Sequence, residues 1–513
     1  MIAARQPWWE QRRFMALLAL TLVIPLVWPT TPPLTDLPGH MGRYAVQIGL
    51  AGDPVLGEWF DFKWALVGNL GLDLIVQLFA PVFGLAAVVK AAVMVIPALQ
   101  AAGMLLVARE IHGRVPPTAL FALPLAYAYP FQFGFVNFSL SVAFAFLLFA
   151  LWLRLTRHKQ WRLRAAIFIP ASFLLWLTHT YGWGLFGLMV GGSELVRRRE
   201  EGQGWLMAAV LAGLTGLMLA GPAILVLNAG STATGPNTGH WFQFSTKLDY
   251  VTAVFRDRWG WFDAAALIAI GLVLIRACVR PDYRFDRRLG LVALLFIAAF
   301  LLMPRVFLYS AYADMRLVPV MLAACILAIK PVIDTKLARR LALTGLAILL
   351  VRVAGLTIST TAYDQSWTQT AAAIDHIPRH ARVLALVGRT CAQPWNAAKL
   401  EHVPALAIVR RHAFVNDQWA LSTAQLLQVT KKDAPGFAED PSQMAVDKSC
   451  PHPEWRQIDK TLARFPRAAF DYVWMIAPPK FDPAGLKGLE RKWTNGRDSL
   501  YRVLPAEKPK PDL

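Results

Sequence analysis

The segment Thr35-Asp36-Leu37-Pro38-Gly39-His40-Met41-Gly42-Arg43-Tyr44 carries the first group of residues whose types suit chemistry. Read as the start of a helix, it sets Asp36 and His40 near one another, with Arg43 and Gln47 on the same side. A carboxylate beside an imidazole can take a proton from a hydroxyl. An Asp placed before Pro38 can equally cap the helix, and both readings stand on the residues alone. A second segment runs from Pro304 to Pro319 and holds Arg305 and Arg316. Two guanidinium groups can grip a phosphate bidentately. The plainer alternatives are snorkelling to lipid headgroups or an Arg316–Asp314 surface pair. Lys90 and Arg352 sit inside apolar runs, where a charge is costly and marks a functional position by default. Asn69, Asp73 and Gln77 recur every fourth residue and would share one helix face. His179, in Thr178-His179-Thr180-Tyr181, can contact a substrate or make a structural hydrogen bond. His240 and Trp241, in Gly239-His240-Trp241-Phe242-Gln243, suit sugar stacking or membrane anchoring. No nucleotide loop, metal-ligand spacing or serine-hydrolase elbow occurs in the sequence.

The elements that must position these residues are set by composition. Of 513 residues, 56% are hydrophobic and 17% charged. The apolar residues come in blocks of roughly 15–25, the length a helix needs to cross a bilayer. Backbone polar groups in lipid must be satisfied within their own element, so these blocks are expected to be helices. The expected spans are 14–29, 85–107, 117–134, 138–154, 165–178, 181–196, 204–226, 262–279, 289–303, 317–331 and 341–360, about eleven crossings. The pair 165–178 and 181–196 is short and reads alternatively as a hairpin dipping into the membrane. The stretch 64–82 reads as an interfacial or re-entrant helix. The net charge of +19 sits in short loops between the blocks, which excludes nucleic acid as the simplest partner and points to topology. With the N-terminus inside, every loop on the cytoplasmic side is basic. The loop 30–63 on the opposite side is acidic, with Asp36, Asp53, Glu58 and Asp61. The N-terminal run lacks a small-x-small cleavage pattern and reads as an uncleaved first span.

From Thr361 the apolar blocks stop. Short β-like runs at 382–388, 405–409, 471–476 and 499–504, with helical stretches between them, suggest an α/β domain over 361–504, followed by a disordered tail, 505–513. On this topology the domain lies outside the cytoplasm. A disulfide between Cys391 and Cys450 is then allowed, and closing that loop would contribute roughly 4 kcal/mol.

The layout resembles the glycosyltransferase C superfamily, polytopic enzymes that use lipid-phosphate-linked sugars. The resemblance covers roughly the first 360 residues. It consists of a cytoplasmic N-terminus, one span, an acidic first outer loop with an interfacial helix, many further spans, and an extracytoplasmic C-terminal domain. The strings Gly68-Asn69-Leu70-Gly71-Leu72-Asp73 and Ala313-Asp314-Met315-Arg316-Leu317 look like features of bacterial members. The resemblance implies a polytopic helical membrane fold in the bacterial cytoplasmic membrane, a polyprenyl-phosphate sugar as donor, and a glycan, lipid or protein as acceptor. It puts Asp36 in the place of the catalytic carboxylate, with His40 beside it. Arg305, Arg316, Arg352 and Lys90 would hold the donor phosphate, and Asp73, His179, His240 and Trp241 would serve the acceptor or sugar. Direct displacement of the carrier phosphate inverts the anomeric centre. The family often pairs acids as D-x-D or E-x-D in this loop. Here the acids are Asp36, Asp53 and Glu58-Trp59-Phe60-Asp61, so a divalent metal is not indicated. Readings from other classes are a transporter of a lipid-linked saccharide, or a non-catalytic subunit of an envelope polysaccharide complex.

Overall fold

The computed structural model describes residues 6–228, 238–308, 310–330, 334–392, 394–396, 399–419, 425–450 and 455–505. All but the first residue of the tail 505–513 falls outside them. The chain divides into two compact units. One comprises Met1–Trp28, Leu66–Leu74 and Ala91–Thr360; the other comprises Pro29–Ala65, Ile75–Lys90 and Thr361–Leu513. The loop 30–63, grouped with the membrane domain on sequence grounds, thus belongs with the C-terminal residues.

The first unit is helical. Among the described residues, four helices have the length and apolar character to cross a membrane: Leu85–His112, Val136–Arg157, Gly260–Val279 and Thr335–His376. They contain the expected spans 85–107, 138–154, 262–279 and 341–360, because an unbroken apolar run leaves the backbone only the helix to satisfy itself; the last helix runs on past 360, into the stretch expected to begin the α/β domain. Several other expected spans differ in form. The run 117–134 is no single α-helix: Pro117–Tyr127 is a 3-10 helix, followed by Tyr129–Phe133. Pro117, Pro124 and Pro130 remove backbone donors and explain the break. The run 204–226 divides into Trp205–Gly216, a 3-10 turn Leu217–Leu219, and Gly221–Asn228. The first run holds only the helix Arg12–Thr21 and a short turn, Ile24–Leu26, at Pro25. The short pair is longer than read, Trp161–Thr178 and Thr180–Glu200, with His179 between them. A buried cluster fixes the far ends of this pair: Glu194 accepts from Trp152 Nε1 at 3.0 Å and from Arg164 at 3.0 Å, and pairs with Arg197.

In the second unit the strand Arg382–Gly388 is central to a seven-stranded sheet. Its middle residues are buried, as an apolar run covered on both faces must be. It pairs in parallel with Tyr472–Ile476 on one edge. On the other edge it pairs in parallel with Phe414–Val415 and Met444–Val446. Ser499–Val503 and Leu489–Thr494 extend the sheet antiparallel. Three of the four β-like runs are strands. The fourth, 405–409, is helical, within Leu406–Arg411. Its apolar run is equally compatible with a buried helix, and packing against the helix Leu37–Gly49 decided the matter. That helix comes from the loop 30–63, and the same loop adds a strand, Phe60–Phe62, antiparallel to Leu427–Val429. Cys391 and Cys450 form a disulfide.

Candidate functional site

Asp36 stands at the N-terminus of the helix Leu37–Gly49, and its side chain makes no capping hydrogen bond. The capping alternative is therefore not realised, although Asp36 is only 8% exposed. An imidazole does approach the Asp36 carboxylate, and it belongs to His402: Nε2 lies 4.0 Å from Oδ1. His402 Nδ1 is 3.1 Å from the Asp417 carbonyl, so it carries the proton and donates there. Burial depresses the His402 pKa, which keeps the ring neutral. Its Nε2 lone pair and the Asp36 carboxylate are two proton acceptors that a donor placed between them can reach.

Close approach of side chains to the helix backbone at Gly39 and Gly42 makes this possible. A Cβ on Gly39 would lie 2.7 Å from Trp419 Cη2 and 3.2 Å from His402 Cγ, and one on Gly42 would lie 3.1 Å from Ala405 Cβ. Gln418 Nε2 donates to the Gly39 carbonyl at 3.3 Å. His40 follows one turn after Asp36, with its ring 4.9 Å from Trp419 and stacked on Tyr44. Burial, with Arg43 and His402 nearby, holds its pKa well below the usual imidazole range. Neutral His40 and His402 flank the indole of Trp419, whose ring is 4.4 Å from His402.

Two further carboxyl groups of the same unit are withdrawn from solvent, Asp417 fully and Asp440 in part. Burial pushes Asp417 up to about 8 and Asp440 up to about 6. Between its ordinary value and about 8, Asp417 holds a proton in the folded chain that the unfolded chain has released. Stability contributed by that proton is complete at low pH and is lost as pH rises through this window. Asp417→Asn is expected to flatten the fall in thermal midpoint between pH 5 and pH 8, measured on purified protein by scanning fluorimetry.

Among the described residues of this unit, two groups offer metal-ligand atoms within 4.8 Å of one another: Asp53, His380 and His412, and Glu401, His402 and Asp440. Neither has a sequence spacing that would reveal it, since each joins residues from separate segments. Lys90 also falls in this unit, with Asp364 as a nearby charge.

The first unit gathers most of the other candidates. The pairing of Thr238–Gly239 with Val306–Phe307 brings the His240 loop to Arg305, whose N–H donates to the His240 carbonyl at 3.2 Å. Trp241 is half exposed. The Arg305 guanidinium lies over Tyr312 at 5.1 Å. Arg316 is 7% exposed, so it does not snorkel. It lies over Phe135 at 4.2 Å and Tyr181 at 5.2 Å, and NH1 donates to Ser310 Oγ at 2.5 Å. Asp314 is engaged by the buried Lys247 at 2.9 Å. His179 lies against Tyr181 and Phe138, so it shares these aromatic partners with Arg316. Asp73 is fully buried, 3.4 Å from Asn137 Nδ2. The helix begins at Gly71, so Asn69 precedes it and does not share a helix face with Asp73. The segment around Gly68 instead docks on the tip of the long helix pair: Thr180 N–H donates to Gly68 O at 2.8 Å, and Leu70 N–H to Leu177 O at 2.7 Å.

Arg352 forms a buried pair with Asp263 at 2.7 Å and lies over Phe262 and Phe255. Its charge is compensated within the protein. Arg352→Leu is expected to destabilise by about 3–5 kcal/mol, because it strands the buried Asp263 carboxylate. The double substitution with Asp263→Asn should recover most of that loss in a detergent-solubilised thermal melt.

No family model matches the sequence, and no curated protein matches it significantly. Among solved structures the chain is similar to ArnT from Cupriavidus metallidurans bound to undecaprenyl phosphate. The two share 13% identity with a TM-score of 0.49, over 96% of this chain and 97% of that one. At this level of likeness a functional reading rests on the residues themselves.

Proposed function

We propose that this protein is a membrane glycosyltransferase that moves a sugar from a polyprenyl-phosphate donor to an acceptor outside the cytoplasm. The observation that carries the reading is Asp36: a buried carboxylate at a helix start, 4.0 Å from a neutral imidazole. A polyprenyl phosphate is a good leaving group, so the protein needs a base for the acceptor hydroxyl and cations for the phosphate charge that develops. Asp36 is the base, with His402 as the second acceptor beside it. Arg316 and Arg305 stabilise the departing phosphate; the guanidinium of each lies over an aromatic ring, Phe135 for Arg316 and Tyr312 for Arg305. Arg352 is excluded from that role by its pairing with Asp263. Direct displacement of this kind inverts the anomeric centre. The apolar helices, the basic loops and the Cys391–Cys450 disulfide support a bacterial cytoplasmic membrane location with the C-terminal residues outside.

The test is a proteoliposome assay with a panel of polyprenyl-phosphate sugars and membrane extracts as acceptors. Transfer of the sugar with inversion and release of the carrier phosphate is the expected result. Movement of an intact lipid-linked saccharide across the bilayer, without cleavage, would instead establish a transporter.

A further inference from the structure

Within the second unit, Asp53 carries a cluster that its hydrogen bonds cannot satisfy. Asp53 Oδ1 caps the turn Pro54–Glu58 by accepting from Val55 N–H at 3.3 Å. Oδ2 is met at 2.7 Å by His380 Nε2, at 2.5 Å by His412 Nδ1, and at 2.9 Å by Arg379 NH2. Arg379 also points Nε at His380 Nε2 (3.3 Å) and NH2 at His412 Nδ1 (2.9 Å). Each of those two ring nitrogens therefore faces a carboxylate oxygen and an arginine N–H at once. A protonated nitrogen donates to Oδ2 but opposes the arginine proton. A bare nitrogen accepts from arginine but sets its lone pair against the carboxylate. No protonation state of either imidazole satisfies both contacts.

A cation seated among the three atoms removes the conflict, because both nitrogens and Oδ2 then direct lone pairs at it. Arg379 has somewhere to go: its side chain is 58% exposed, whereas the Asp53 side chain is 8% exposed. His380 and His412 both hold left-handed φ, at +62° and +48°, a conformation costly for residues other than glycine. Two imidazole nitrogens and one carboxylate oxygen are a borderline-soft donor set. They suit Zn2+ with water in the fourth position, and not Mg2+ or Ca2+, which prefer all-oxygen shells.

We infer that Asp53, His380 and His412 form a zinc site in which Arg379 occupies the cation's place when the metal is absent. The site would staple the loop bearing Asp36 to the C-terminal residues of the same unit, and it would be structural rather than catalytic. It stands independently of the proposed transferase activity.

The experiment uses full-length protein in detergent, stripped with a chelator, desalted, and titrated with ZnCl2 or MgCl2 by calorimetry, with thermal melts in parallel. One equivalent of Zn2+ should bind and raise the thermal midpoint, and Mg2+ should do neither. His412→Ala and Asp53→Asn should abolish that binding. Arg379→Ala gives the deciding readout. If the cluster is a zinc site, removing its competitor tightens Zn2+ binding severalfold. If the cluster is only a hydrogen-bonded one, Arg379→Ala lowers the midpoint and Zn2+ does not restore it, which overturns the inference. Zinc binding that survives His412→Ala and Asp53→Asn would place the metal elsewhere and overturn it equally.

Discussion

Asp36→Asn is expected to reduce sugar transfer by about 10²–10⁴-fold, the contribution of a positioned general base. The loss should fall on kcat and leave the donor KM nearly unchanged, because a base acts in the transition state and contributes little to donor binding. The thermal midpoint should barely move. Asparagine starts a helix as well as aspartate does and has nearly the same size, so the helix Leu37–Gly49 is expected to keep its start. A variant that is inactive and also unfolded would not show this split. A general base predicts lost turnover with an intact melt, and a structural carboxylate predicts that both are lost together.

The second large effect is expected at Arg316. Arg316→Lys keeps the charge but removes the planar fork, and should lower kcat/KM for the donor by about 10–100-fold, the worth of one or two charge-assisted hydrogen bonds. The guanidinium lies over the Phe135 ring and reaches Ser310, contacts that an ammonium cannot reproduce together. Asp314 remains paired with Lys247 in the variant, so the change strands no buried carboxylate. Steady-state kinetics over a range of donor concentrations measure the effect. Lysine performing as well as arginine would mean that Arg316 contributes only its charge, or packing alone.

Much of the molecule could be read from residue patterns because the patterns are local. The helices Val136–Arg157 and Gly260–Val279 follow from unbroken apolar runs, and the strands Arg382–Gly388 and Tyr472–Ile476 from short ones rich in β-branched and aromatic residues. The reading failed where local signals compete. The apolar run 117–134 has the length of a span, but Pro117, Pro124 and Pro130 each remove a backbone donor, and Pro117–Tyr127 takes a 3-10 path. The run 405–409 has strand-like composition but packs as a helix on Leu37–Gly49. Among the candidate residues, Asp36, His40, Arg305 and Arg316 stand out by residue type and position. His402 does not, because nothing near it in the sequence tells of Asp36. The only local hint is the pair Gly39 and Gly42 on a helix face, which announces that something approaches closely without saying what. The Asp53–His380–His412 cluster was invisible for the same reason: its members come from three segments that meet only after folding.

Arg352 is instructive because its residue type suggested one role and its surroundings another. An intramembrane charge is a reasonable functional candidate. Its partner Asp263 sits at the start of another apolar helix, and no sequence spacing connects the two. The pair shows why a buried cation becomes a phosphate-binding candidate only once its neighbours are known.

The most direct test compares wild-type protein and Asp36→Asn in matched proteoliposomes, following release of free polyprenyl phosphate from a labelled polyprenyl-phosphate sugar in the presence of acceptor extract. Rapid carrier release by the wild type, with little or none by the variant at equal protein level and equal thermal midpoint, is the predicted result. Equal release by both proteins would contradict Asp36 as the base.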